Sequence, residues 1–138
     1  MSHLQLTALV ASVAGVILSI YLTFLHFAGV VPGCPIAGPI NCDAVLSSSY
    51  AVIAGTSLPT SAAGIVWFTV SAVLWTRPLS MLHLLWAAAG LVSVLYFVFI
   101  EIVRIGAICL WCTAAHVLVI VIVLITLTMW QARGAALE

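Results

Sequence analysis

Long apolar runs separated by brief polar intervals set the pattern of this chain. Residues 7–29, 58–76, 79–100 and 105–130 carry no interior charge, and each is long enough to span roughly 30 Å of hydrocarbon at about 1.5 Å per residue. Barrel strands would need short dyadic alternation, which is absent, so the pattern predicts four helices. Ser57, Leu58 and Pro59 open the second, since proline is tolerated in a first turn. Thr76, Arg77 and Pro78 leave only a tight connection, which predicts the second and third helices as antiparallel neighbours.

The one substantial polar interval is residues 32–56, the expected redox loop and lid. Pro32, Gly33, Pro35, Gly38 and Pro39 break regular structure in its first half. Asp43 is predicted to cap a short helix over residues 44–54. Its serines at 47–49 face water or a site, while Val45, Leu46, Val52 and Ile53 rest on the bundle. The expected fold is therefore an all-α membrane protein: a four-transmembrane-helix bundle with a short amphipathic horizontal helix in its first extracytoplasmic loop. Residues 1–138 form a single domain.

Composition agrees. Hydrophobic residues make up 66% of the 138 and charged ones 4%, too much apolar surface for a soluble domain to bury. Three basic and three acidic residues leave no footprint for nucleic acid and favour no charged partner. The first apolar run lacks a basic leader and a convincing cleavage site, so it reads as a retained anchor. Leu137-Glu138 reads as a possible purification remnant.

With four crossings, the loop after the first helix and the turn after the third share a side, so Cys34, Cys42, Cys109 and Cys112 face one compartment. Arg77 and Arg133 fall on the opposite side, Arg104 on the cysteine side beside Glu101. The positive-inside tendency then favours cytoplasmic termini. Trp75 and Trp130 fit an inner aromatic belt and Trp111 an outer one. Disulfide chemistry outside the reducing cytosol points the same way.

Cys109-Leu-Trp-Cys112 is a Cys-x-x-Cys pair expected one turn into the fourth helix. There, unpaired N–H groups favour a thiolate, and Arg104 adds positive potential. Two inert buried cysteines are the alternative. Cys34 and Cys42, joined by a Pro/Gly-rich stretch, are equally a structural staple or a shuttle. Two pairs on one side favour exchange between them. Zinc held by four thiols fits less well, because the first spacing is too wide for a usual knuckle; no metal is expected.

His116, four residues beyond Cys112, shares its helical face with both cysteines of the pair. Such an imidazole donates to a quinone carbonyl or steadies a proton, or else is a structural histidine bonded to a neighbouring helix. His26 and His83 have weaker claims, and His3 is a terminal residue. Ala62, Ala63 and Gly64, like residues 87–90, allow close helix approach or a flat ligand, with packing the first reading. Trp67, Phe68, Trp86, Tyr96, Phe97 and Phe99 are candidates to bound an aromatic pocket.

Taken together, these features resemble the vitamin K epoxide reductase family, specifically its prokaryotic quinone-linked members. The resemblance rests on the paired loop cysteines and the run Cys42-Asp43-x-Val45-Leu46-x-Ser48-x-Tyr50-Ala51. It rests equally on the small-residue opening of the second helix ending at Gly64, and on Cys109-x-x-Cys112 at the last helix. The motifs occur in order over nearly the whole chain.

The resemblance implies a bundle around a quinone, ubiquinone or menaquinone, in a prokaryotic plasma membrane. It implies a thioredoxin-like partner that attacks the Cys34–Cys42 disulfide at Cys34. Cys42 then attacks an oxidised Cys109–Cys112 pair through Cys109, and Cys112 is left beside the quinone. The outcome is disulfide formation in secreted proteins. Ser48 matches the family serine that supports the catalytic region by a hydrogen bond to the quinone, or is a local cap. Thr60, Ala63, Gly64 and His116 complete the expected quinone contacts. Thr60 stands where vertebrate enzymes have a substrate-contact asparagine and His116 where they have a tyrosine, so epoxide reduction is a weaker expectation than quinone reduction. Many prokaryotic relatives carry a fused thioredoxin-like domain, and this sequence ends just beyond the fourth helix, so the partner is expected to be separate or to have been removed. Vitamin K or epoxide reductase activity, and a non-catalytic cysteine-stapled scaffold, are the alternatives.

Overall fold

The computed structural model describes residues 1–35 and 37–136; the Leu137-Glu138 pair lies outside them. Helix α1, His3–Ala28, begins at a capping box in which Ser2 and Gln5 satisfy each other's backbone N–H groups, and ends at Gly29 in the left-handed region. That box starts the helix ahead of the residue-7 boundary read from apolar pattern alone.

The horizontal segment differs from expectation. In place of one helix over residues 44–54 there are two short pieces, α2 at Cys42–Leu46 and a 3-10 turn at Ser49–Ala51. Asn41, not Asp43, is the cap, its Oδ1 accepting from the Ala44 N–H at 3.1 Å. The hydroxyls of Ser47 and Ser48 donate back to the carbonyls of Asp43 and Val45. Serines that bond their own turn in this way compete with helix continuation, and α2 stops there. A small hairpin follows, in which Val52 pairs with Pro59 and Gly55 supplies a left-handed turn.

Helix α3, Thr60–Trp75, starts one residue after Pro59. Its 16 residues extend about 24 Å. Helix α4, Met81–Phe99, runs on through a π-helical turn, Ile100–Ile105, to Gly106 in the left-handed region. Helix α5, Leu110–Ala135, therefore begins five residues later than predicted, because the chain reverses at Gly106 and Ala107 donates to the Glu101 carbonyl. The fold is an all-α bundle with three apolar helices of membrane-crossing length, namely α1, the continuous helix Met81–Ile105, and α5, beside the shorter apolar α3. Large aliphatic and aromatic side chains cover its outside, as lipid contact requires.

Close approaches hold α1 antiparallel to α3. A Cβ on Gly15 would fall 2.2 Å from the Phe68 ring, and one on Gly64 would fall 2.7 Å from Ser19 Oγ, so neither position has room for a side chain. Thr23 and Ser61 hydroxyls bond at 2.8 Å farther along. Helix α5 packs on α1 and α4. Helices α3 and α4 meet only sparsely: the stacked indoles of Trp67 and Trp86, centroids 6.2 Å apart, stand between them. The predicted neighbours are thus held apart, because a short connection fixes spacing at one end only and the indoles set it elsewhere. A cavity of about 640 Å³ fills the gap.

At the end carrying that short connection, polar groups are fully used. His83 Nε2 donates to the Leu74 carbonyl at 2.9 Å, so Nδ1 is the acceptor for the Ser80 N–H at 3.2 Å. Arg133 donates to the Leu79 carbonyl at 2.8 Å. Trp75 is buried edge-on against His83 and does not face lipid as the expected belt residue.

Candidate redox site and cavity

At the opposite end the proline-rich loop is pinned to the start of α5. Ile108 donates to the Pro39 carbonyl at 2.8 Å and Asn41 donates to the Ile108 carbonyl at 3.0 Å, a parallel bridge between residues 40 and 108. Each of these strand-like segments leads at once into a helix, and a cysteine stands at each entry: Cys42 is the first residue of α2 and Cys109 the N-cap of α5. The bridge thereby delivers both into one buried cluster with Val45 and Ala107, against which Cys34 and Cys112 also pack.

Cys34 and Cys42 are bonded to each other, with Cα atoms 6.0 Å apart, whereas Cys109 and Cys112 are thiols. Solvent access falls and then returns along the set. Cys34 is partly exposed, Cys42 and Cys109 are buried, and Cys112 opens onto the cavity. No group of three or more His, Cys, Asp or Glu that could hold a metal ion occurs among the described residues.

Cys109 lies at the N-cap and not a turn inside the helix. From the cap its sulfur accepts the Cys112 N–H at 3.3 Å. The Cys112 thiol's hydrogen bond to Cys109 holds the Cys109 thiol below its ordinary range. Burial opposes this, and the backbone N–H groups of Cys112 and Trp111 add to it. Arg104, assigned a supporting role from sequence, is instead stacked over Tyr50 at 5.9 Å and is not among these causes.

Glu101, which sequence reading named only as Arg104's neighbour, is buried in the π-helical turn and accepts the Cys109 N–H through Oε2 at 3.2 Å. Its signal was present: the buried stripe His83, Ala87, Gly90, Val94 repeats every three or four residues, and seven residues beyond Val94 is Glu101.

The cavity wall brings together Ser48, Thr60, Ala63, Gly64 and His116, along with Cys112. Ser48 spends its hydroxyl hydrogen on the Val45 carbonyl at 2.7 Å, leaving its lone pairs. Thr60 donates weakly to the Ala51 carbonyl at 3.3 Å. His116 stacks on Phe97, centroids 6.4 Å apart, and no described residue hydrogen-bonds its ring. Of the aromatic candidates, Trp67, Phe68, Trp86 and Phe97 line the cavity, while Tyr96 and Phe99 are exposed on the outside. His26 lines a separate shallow recess.

Two close cysteine pairs at one end of a multi-pass membrane bundle, one of them opening on an apolar cavity, define a redox-active membrane protein. Residues 6–127 match the model of the Vitamin K epoxide reductase family, and the chain belongs to that family. No curated protein matches it. Membership implies quinone-linked chemistry, redox partners and membrane lipids in general terms. The cavity's lining fits such a group: the His116 ring lines it with neither nitrogen bonded among the described residues, whereas Trp67 Nε1 is fully enclosed and without a partner among them. One unbonded imidazole, with the Ser48 and Thr60 hydroxyls, thus stands in a mostly apolar wall.

Proposed function

We propose that this protein oxidises a separate thioredoxin-like partner and passes the electrons through its two cysteine pairs to a quinone, supporting disulfide formation in secreted proteins. The observation that carries the reading is the single buried cluster joining both pairs, with accessible Cys34 at its outer edge and Cys112 at the cavity.

The partner's thiolate attacks Cys34, the more accessible sulfur, and frees Cys42. Cys42 attacks Cys109 of the oxidised helix pair and frees Cys112. Release of the oxidised partner lets Cys34 recapture Cys42, which leaves the loop pair bonded and the helix pair as thiols. That is the arrangement described above, the stage before the helix pair closes. Its closure yields a disulfide, two electrons and two protons. A quinone, ubiquinone or menaquinone, supplies the acceptor for all four when bound. His116, Ser48 and Thr60 would hold its polar head, with Ala63 and Gly64 giving a flat floor. The lowered Cys109 value makes it a good leaving group when Cys34 recaptures Cys42.

In this reading α3, extended by the residues before it, is the fourth crossing. The termini are cytoplasmic, and α2 with its neighbouring turn lies as a lid on the extracytoplasmic face of a prokaryotic plasma membrane. Stopped-flow mixing of the detergent-solubilised protein with a reduced thioredoxin-like protein and a quinone tests it through loss of quinone absorbance. Replacing Cys42 by serine should trap a partner adduct on Cys34; an adduct on Cys109 instead would reject the relay. Permanently oxidised pairs with no mixed disulfide would favour the stapled scaffold.

A further inference from the structure

Closing the helix pair releases two protons beside a mostly apolar cavity, and the proposed relay assigns no group that carries them from the sulfurs to the acceptor. Glu101 is the one carboxyl among the residues lining this cavity, and the relay leaves it unused. It is 6% exposed, lines the same cavity as Cys112 and touches the Cys109 backbone through Oε2. A carboxyl buried at membrane depth costs several kcal/mol in general unless it is paired or neutral, so its presence calls for a role. Arg104 does not neutralise it, being stacked over Tyr50.

Fold stability alone requires only part of what Glu101 does. Its carbonyl accepts the Ala107 N–H at 3.1 Å and Oε2 accepts the Cys109 N–H, so both ends of the reversal are fastened to one residue. A glutamine would make the same two bonds. The second carboxylate oxygen makes no hydrogen bond among the described residues, and Glu101 lines the cavity. The π-helical turn, a local widening that recurs at functional sites, carries this side chain.

Building on the proposed relay, we infer that Glu101 is the proton-holding group of the helix pair, taking a thiol proton when the Cys109–Cys112 bond forms and passing it to the acceptor in the cavity. The balance is complete. Two thiols lose two protons and two electrons to form one disulfide; one proton travels by Glu101 and the other by His116. The acceptor takes both protons and both electrons. Glu101 ends as the carboxylate it began as.

The test is infrared difference spectroscopy of the quinone-free protein, with the helix pair reduced and then oxidised by diamide. The chain contains only two glutamates, Glu101 and Glu138, so labelling with carbon-13 glutamate and comparing Glu138→Gln isolates Glu101. A carboxylic-acid band that changes with the state of the pair and vanishes in Glu101→Gln is expected. Glu101→Gln should also slow oxidation of the helix pair by a short-chain ubiquinone at least tenfold or so, while thiol trapping finds exchange between the pairs at its normal rate. An unlabelled-like spectrum in the parent protein overturns the inference without reference to any variant. So does Glu101→Gln oxidised at the parent rate, or one whose exchange between pairs fails equally. A redox-linked Glu101 band in a protein that reduces no quinone would preserve the proton site and overturn the proposed function instead.

Discussion

Each end of the bundle sets a histidine against an aromatic ring, His83 on Trp75 and His116 on Phe97, yet the two imidazoles are used differently. His83 has both nitrogens committed to backbone groups and ties α3 to α4. His116 has neither committed and lines a cavity with a thiol one turn away. The contrast extends to neighbours. Around His83, Arg133 and Ser80 are bonded; in the wall of the cavity that His116 lines, Trp67 Nε1 is buried without a partner among the described residues. Buried polar groups are normally satisfied, so concentrated exceptions at one end distinguish a site from a scaffold.

That contrast can be broken by mutation. Cys112→Ser is expected to reduce quinol formation to background while leaving the melting temperature in detergent nearly unchanged; retained turnover would remove Cys112 from the cavity chemistry. His116→Gln should lower the rate by about 100-fold or more, as loss of a positioned proton-transfer group does, again with little change in melting. His83→Ala should do the reverse. Stranding the Leu74 carbonyl and the Ser80 N–H costs about 1–3 kcal/mol, read as a lower melting point, with exchange between the cysteine pairs unaffected. If His83→Ala instead stopped turnover at constant stability, the division between the two ends would be wrong.

The smallest effect concerns pH. Because the Cys112 hydrogen bond lowers the Cys109 value, its thiolate persists as pH falls, and alkylation of Cys109 by iodoacetamide in the reduced helix pair should decline only below the ordinary thiol midpoint of about 8.5. Cys112→Ala removes the donor, so the midpoint should move upward toward that ordinary value. A profile that does not move would assign the stabilisation to the backbone N–H groups alone.

Sequence and structure part company at identifiable residues. Apolar run length predicted α1, α4 and α5 because a helix of given length in hydrocarbon is a local property. The box of Ser2 and Gln5, the back-bonding Ser47 and Ser48, and the reversal at Gly106 moved boundaries that periodicity cannot see. Glu101 lay on a readable stripe, but nothing in the chain's order disclosed that its carboxyl reaches the N–H of a residue beyond the reversal.

Chain order and composition alone determined a membrane helical protein with two cysteine pairs, since hydrophobic length and motif spacing need no knowledge of distant neighbours. Tertiary packing decided the rest. Phe68 seated on Gly15, Trp67 on Gly90 and the bridge between residues 40 and 108 set how far apart α3 and α4 stand and which sulfurs meet. Cavities and approaches between helices depend on the shapes of side chains far apart in the chain, which no local pattern encodes.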